Sequence, residues 1–452
     1  MNLQDAYNFL SSLINNEQVL DRACQEDFKL DRIKELLKRL NNPQNNLKII
    51  HIAGSKAKGS TAAFTAHILK EAGYKVGLYT SPHILDFKER IRILDKVRSI
   101  EGNGIFQDAI TENELCVVLN KLAPIVEQIQ KEGFLGRLTF FEVFTAAAFY
   151  FFHQCHVDFA VIETGLGGRL DATNACHSLI ACLTPISLEH THILGNTVEE
   201  ITREKAAIIK NREQKVVISR QHDSVRSIIV QRCKDFFITP FEVFKEYQYH
   251  MVAKDFDQQS IDILAPHFKY ENLRLSLIGE HQAENACTAI GIIAQIKKLG
   301  FSVSDEAVYR GCETVHWPLR FEILVRRPIV VLDAAHTQES IKMLVSTLYE
   351  YFSGKEVILV LGISRDKDIE TLCRELAFVA SSVVATQAEH PRSHAFTMEQ
   401  LQKFFPGKHC QITQNTTEAL RLASEGASKD AVILVTGSIF LASEARSILG
   451  AK

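Results

Sequence analysis

Leu47-Lys-Ile-Ile-His-Ile52 runs into Ala53-Gly-Ser-Lys-Ala-Lys-Gly-Ser-Thr61 and then into Ala62 to Ala72, which ends at Gly73. The first run is short, apolar and β-branched, the pattern of a buried strand. The third has helical spacing, and Gly73 suits the C′ position of a helix. Between them lies a small, polar, basic loop of the size that cradles a phosphate. Successive backbone N–H groups and a helix N-terminus converge on one anion in such a unit. In that reading Lys58 reaches the β and γ phosphates, and Ser60 or Thr61 offers a hydroxyl to magnesium. The strict pattern wants glycine before the lysine, and Ala57 stands there. A tight strand-to-helix turn with an exposed lysine is the competing reading of the same residues.

The alternation continues outward. Strands are expected at Val157–Glu163, Ser178–Thr184 and Lys215–Ser219, with helices at Glu112–Lys131, Phe140–His153 and Thr197–Ile209. Asp31 to Leu40 reads as an amphipathic helix ended by Asn41-Asn-Pro43, and Phe87 to Ile93 as extended. Leu94 to Thr111 reads as a charged, glycine-containing surface loop. Strands alternating with helices predict a parallel sheet with helices on both faces. Ligands bind such sheets beyond the carboxyl ends of the strands. Gly54–Thr61, Thr80–His83, Glu163–Asp171 and Glu189–His192 all fall there, and four polar clusters at one edge point to a site. Glu163, Ser60, Ser81 and His190 are oxygen and imidazole donors suited to a phosphate-bound ion. Taken singly, Glu163 also suits a turn cap, His190 a core histidine, and Lys205 a surface lysine paired with Glu204 or Glu200.

Residues 235 to 278 alternate Phe, Tyr and Val with polar residues, which predicts a small antiparallel sheet. Gly279 to Asn285 opens a helix to Leu299. After Trp317-Pro-Leu-Arg320 the strand and helix pattern restarts, with strands near 329–333, 357–361, 383–386, 409–412 and 431–435. The expected architecture is α/β: a P-loop-type parallel-sheet ATPase domain with a small antiparallel sheet, residues 1–315, then a Rossmann-like α/β domain, residues 316–452.

Composition narrows the function. The 452 residues are 46% hydrophobic and 23% charged with net charge −3, an ordinary globular balance. General nucleic-acid or anionic-membrane binding needs a basic surface, so neither is expected. The ten cysteines have no paired spacing, which favours a reducing cytoplasm over a disulfide or zinc framework. No signal peptide is expected, and the apolar run Leu138–Phe152, interrupted by Glu142, is too short to span a bilayer.

The motifs together resemble the folylpolyglutamate synthase/dihydrofolate synthase family of Mur-type ATP-dependent amide ligases. The resemblance rests on Asn42-Pro43, the phosphate loop, Thr80-Ser-Pro-His83, Glu89-Arg-Ile-Arg92, Leu138-Thr-Phe-Phe-Glu142 and Gly165-Leu-Gly-Gly-Arg-Leu-Asp-Ala-Thr-Asn174. It continues through His190-Thr, Leu194-Gly195, Arg203-Glu-Lys205, His281-Gln, Asn285, Trp317-Pro, Arg320, Asp366-Lys-Asp368 and Thr436-Gly-Ser438. It implies that a folate-precursor carboxylate attacks the γ-phosphate of ATP and that L-glutamate displaces phosphate from the acyl phosphate. It implies Lys58, Lys205 and His336 as catalytic residues, with Lys205 carbamylated into a metal-site carboxylate beside Ser60, Ser81, Glu163 and His190, and Mg2+ as cofactor. It implies nucleotide contacts from Gly54, Lys58, Gly59, Ser60, Thr61, Asn285, Arg320 and Asp333, and a pterin pocket of Thr139, Phe141, Asp171 and Ala172. The implied partners are ATP, L-glutamate and dihydropteroate or folates, met by a cytoplasmic monomer. The sequence departs from the family at Ala57 (usually Gly), Glu189 (usually Asp), Ala207 (usually Gly) and Asp333-Ala-Ala-His-Thr-Gln338 (usually Asp-Gly-Ala-His-Asn-Pro). A ligase for another acid or amino acid, and a non-catalytic nucleotide-binding protein, remain alternatives at this level.

Overall fold

The structure is a computed structural model that describes residues 2–15, 28–97 and 104–450. The chain divides into two compact units. One comprises 1–250, 262–273 and 284–315; the other comprises 251–261, 274–283 and 316–452.

The first unit is built on a seven-stranded sheet: β1 Ile49–Ala53, β2 Val76–Tyr79, β3 Ile91–Leu94, β4 Phe159–Glu163, β5 Ser178–Leu183, β6 Lys215–Ile218 and β7 Phe241–Glu242. The spatial order is β3-β2-β4-β1-β5-β6-β7. Every pairing is parallel except β2 with β3, so β3 is an antiparallel edge. β1 lies between β4 and β5, with Ile52 opposite Glu163 on one side and Cys182 on the other. The central strands β2, β4 and β1 are buried on both faces, which is why they read as near-continuous apolar runs. The helices that follow are α1 Leu3–Ser11, α2 Leu30–Arg39, α3 Lys58–Glu71, α4 Glu112–Glu132, α5 Phe140–Gln154, α6 Thr191–Leu194 and α7 Val198–Ala206. Alternate residues Ala160 and Ile162 of β4 face Phe144, Phe149 and Phe152 of α5 in one core cluster. Ala181 and Leu183 of β5 join Ile193, Ile201 and Ile209 in another. Each fully buried phenylalanine contributes about 1.5–3 kcal/mol, so the sheet is a rigid base for the loops at its edge.

Three expectations shift. The helix after β1 starts at Lys58, not Ala62, because polar Lys58 to Thr61 form its first turn. Phe87–Arg90 is a 3₁₀ turn, not extended, capped by Asp86 and Glu89 in a reciprocal box. Within the 94–111 loop, residues 98–103 lie outside the described residues. Asp108 to Ile110 is not solvated loop: Ile93 N donates to Asp108 O, Ile110 N donates to Ile91 O, Arg92 pairs with Asp108 at 2.7 Å, and Ile110 is buried.

Strands β8 Gln248–Lys254, β9 Gln259–Ala265 and β10 Phe268–Leu275 form a three-stranded sheet in the order β10-β9-β8. Connections this short allow only antiparallel neighbours. The second unit carries a six-stranded sheet of β11 Glu322–Arg326, β12 Ile329–Leu332, β13 Val357–Leu361, β14 Ser382–Ala385, β15 His409–Ile412 and β16 Val432–Thr436. Its order is β11-β12-β16-β13-β14-β15, parallel except for β11 with β12. No helix of the described residues is long and apolar enough to cross a membrane.

Candidate active site

The carboxyl ends of β2, β4, β1 and β5 are neighbours, so the four polar clusters meet along one sheet edge. The phosphate-sized loop after β1 is tied to the exit of β5. Ser55 N and Lys56 N donate to Pro185 O at 2.9 and 3.1 Å, and the Ser55 hydroxyl donates to Ser187 O at 2.9 Å. Thr184 Oγ1 donates to Lys56 O at 2.6 Å. Gly54 is required by that close approach, since a Cβ there would lie 1.9 Å from Thr184 Oγ1.

Ala57 then turns left-handed, φ 68° and ψ −7°, and α3 begins without a side-chain cap. The first-turn amides of an α-helix have no intrahelical acceptor, so this end faces an anion favourably. Thr61 Oγ1 is buried there with no hydrogen-bond partner, while Ser60 is buried beside it. A non-glycine left-handed residue costs about 1–2 kcal/mol, against about 0.5–1 kcal/mol for the extra unfolded freedom of glycine. Ala57→Gly should therefore hold or slightly raise both melting temperature and kcat/KM for ATP. A large loss of activity in that variant would mean the loop works in another geometry.

Two lysines converge on the start of the loop. Lys58 Nζ donates to Gly54 O at 3.0 Å, and Lys205 Nζ, from α7, donates to the same oxygen at 2.9 Å. Lys205 is 1% exposed and pairs with Glu189 at 2.7 Å. It is not a surface lysine: Glu204 pairs instead with Arg169 at 2.8 Å, and Glu200 caps the start of α7. Burial opposes ionisation of Glu189, but Lys205, with Lys58, His190 and Lys56, overrides it and holds the carboxyl down to about 2. Burial pushes Lys205 down while Glu189 pulls the other way. The Lys205 amine donates to Glu189, whereas the carbamate implied by family resemblance would meet that carboxylate as a like charge. His190 caps α6 in a left-handed conformation, φ 46°, a strained backbone of the sort found at functional loops. Glu163 is buried at the end of β4, with Oε2 accepting from Ser81 N at 3.2 Å. Among the described residues, no group of three or more His, Cys, Asp and Glu side chains is placed to hold a metal.

The four pterin-pocket candidates lie along α5 and the loop after β4. Thr139 caps α5 in a reciprocal box with Glu142, which Arg32 holds at 2.8 Å. The Phe141 ring packs on Gly165, where a Cβ would lie 2.4 Å from Cζ. Asp171 caps the 3₁₀ turn Ala172–Ala175, which packs against α5. Its Oδ2 accepts from Leu166 N at 2.8 Å and its Oδ1 from Thr173 N at 3.0 Å and from the Thr173 hydroxyl. Burial raises the Asp171 carboxyl, and these donors oppose the shift.

Asn285 is buried on the helix Glu280–Lys298 and belongs to the first unit. Arg320, Asp333 and His336 belong to the second. Asp333 Oδ2 accepts from Phe321 N and Oδ1 from Ala335 N, each at 2.8 Å. Burial raises Asp333 while Arg320 pulls it down. His336 is exposed, with Nδ1 donating to Ala334 O at 2.9 Å. Residue patterns missed Thr184, Ser55 and Ser187, which hold the loop, and the Glu189–Lys205 pair. A hydroxyl at a strand end was the available signal, but its partner lies on a strand 130 or so residues away along the chain.

Comparison with known proteins fits this geometry. The Mur ligase middle domain matches residues 125–293, and the Mur ligase glutamate ligase domain matches 319–439. The dihydrofolate synthase/folylpolyglutamate synthase of Bacillus subtilis is 32% identical over 428 residues, 93% of this chain and 94% of the relative. The chain belongs to the dihydrofolate synthase/folylpolyglutamate synthase family of Mur ligases. It is therefore an enzyme of the ATP-dependent ligase class. The solved Mycobacterium tuberculosis folylpolyglutamate synthase complexed with ADP is 28% identical with a TM-score of 0.85, covering 98% of this chain and 99% of that one. An FPGS–AMPPCP–folate complex is 27% identical with a TM-score of 0.83, covering 99% and 100%. In this chain Lys58, Ser60, Glu163, His190 and Lys205 lie at one edge of the first sheet.

Proposed function

We propose that this protein joins L-glutamate to dihydropteroate with cleavage of ATP to ADP and phosphate, and extends the glutamate tail of folates as a second activity. The observation that carries the reading is the loop at the end of β1, where Lys58 and the Glu189-paired Lys205 both donate to the Gly54 carbonyl beside an uncapped helix N-terminus. The reaction brings together a polyphosphate and a carboxylate, both anionic. Holding them in contact requires positive charge that is already in place.

The dihydropteroate carboxylate attacks the γ-phosphorus, forming an acyl phosphate as the bond to ADP breaks. The glutamate amino group then attacks the acyl carbon, loses a proton and expels inorganic phosphate. Lys58 neutralises the transferring phosphoryl oxygens. The Phe141 face and the Asp171 carboxylate orient the bicyclic ring. In the second unit, Arg320, Asp333 and His336 are the nucleotide and reacting-group residues that the family resemblance implies. The oxygens of Glu163, Ser60 and Ser81, with His190, suit a hard cation; bound there, Mg2+ would neutralise phosphate charge. The relatives' printed activities support the choice of substrates. The ten cysteines have no paired spacing, which supports work in a reducing cytoplasm.

The test is direct. Purified protein incubated with ATP, magnesium, L-glutamate and dihydropteroate should release ADP and phosphate and yield a product heavier by one glutamyl residue. Absence of that product by mass spectrometry, with dihydropteroate and with reduced folates alike, would overturn the proposal.

A further inference from the structure

A buried polar chain runs from β1 to the proposed ring pocket. His51 Nε2 lies 2.8 Å from Thr173 Oγ1, and Thr173 Oγ1 hydrogen-bonds Asp171 Oδ1. His51 and Thr173 are fully buried, and Asp171 is 4% exposed. The direction of each bond follows from valence. An ionised carboxylate only accepts, so the Thr173 hydroxyl spends its single proton on Asp171. Thr173 Oγ1 must then accept from His51, which fixes the imidazole as the Nε2–H tautomer. His51 Nδ1 is buried with no hydrogen-bond partner, which fits a neutral ring, since a second N–H would be stranded there. Burial, with Lys210 nearby, pushes the imidazole down to about 3, so it stays neutral at physiological pH.

We infer that His51 and Thr173 are positioning residues for the aryl-acid pocket, pinning Asp171 Oδ1 so that Oδ2 is left to accept from an N–H donor edge of the substrate. This inference rests on the substrate reading above. Oδ1 is saturated by Thr173 N and Oγ1, whereas Oδ2 accepts from the backbone turn at Gly165–Leu166, with Leu166 N at 2.8 Å. All donors in the chain point toward Asp171, so the carboxylate presents acceptor character alone. A ring with adjacent N–H donors is selected, and one presenting only acceptors is rejected, because a buried acceptor facing another acceptor goes unpaired.

β1 also leads into the phosphate loop, so a merely structural role for His51 would disturb ATP binding. That difference supplies the test. His51→Leu should raise KM for dihydropteroate about ten- to a hundredfold, the range for stranding one buried partner. KM for ATP and for glutamate should stay within about threefold, since their sites keep every group they use. His51→Gln, whose amide places an N–H near the Nε2 position, should restore most of the loss. Thr173→Val removes the same link without changing volume, and serves if His51→Leu does not fold. Two results overturn the inference while leaving the substrate reading intact: wild-type KM for dihydropteroate in folded Leu and Val variants, or equal rises in KM for ATP and dihydropteroate. A wild-type protein that fails to ligate dihydropteroate overturns both together.

Discussion

Lys58→Ala is expected to lower kcat/KM for ATP by at least about a thousandfold, the scale seen when a charge aimed at a transferring phosphoryl group is removed. The fold should survive. Lys58 is half-buried and hydrogen-bonds the Gly54 carbonyl, an oxygen that Lys205 also serves. Loop shape is held instead by Thr184, Ser55 and the Pro185 carbonyl. What disappears is charge opposite the phosphates, with little loss of packing. Lys58→Arg should recover part of the activity, limited by the larger, planar head group. A coupled assay for ADP release, alongside thermal melting, checks both halves. A loss below tenfold would mean that Lys58 does not face the nucleotide.

Glu189→Gln should be more damaging to stability, by about 3 kcal/mol, because it strands a buried ammonium. Lys205 would then share Gly54 O with Lys58 and no longer have a carboxylate against it. Turnover should fall with it. Adding Lys205→Met to Glu189→Gln should recover much of the melting temperature, since no buried charge is left alone, and recover none of the activity. The pH dependence has a definite sign. Glu189 is held down to about 2 from its ordinary 4.5, so the stabilisation it provides is present above about 4.5 and is lost as pH falls through 2. Between those values wild-type stability should fall more steeply than that of Glu189→Gln. Parallel unfolding curves across that window would remove Glu189 as the carboxylate that Lys205 stabilises.

Both predictions depend on a pairing that residue patterns did not supply. Lys205 read locally offered Glu204 and Glu200 as partners, and both are used elsewhere, by Arg169 and by the cap of α7. The chosen partner, Glu189, lies beyond β5, brought across by the packing of α7 under the loop. The Ala57 irregularity behaved differently. A missing glycine in a loop that needs a left-handed residue announces strain, and the backbone at that position is left-handed. The start of α3 was misplaced by a turn because Lys58 to Thr61 are polar, and the apolar period that marks a helix begins only at Ala62. The 3₁₀ turn at Phe87–Arg90 escaped for a related reason: its capping box is a hydrogen-bond pattern, invisible to hydrophobic periodicity.

Local chemistry therefore determined what is local. Apolar runs of strand length, helical spacing, glycine and proline punctuation and polar clusters after strands specified an α/β chain with a phosphate-type loop and a candidate edge. Backbone conformation and side-chain period act over a few residues, so they leave their trace in consecutive letters. The tertiary structure alone decided which groups meet: Thr184 on the Lys56 carbonyl, Glu189 on Lys205, His51 on Thr173 across 122 residues. Those meetings follow from the order β2-β4-β1-β5, in which strands far apart in the chain become neighbours. That order is set by the burial of whole faces and by crossover geometry, neither of which is written at the position of any one residue.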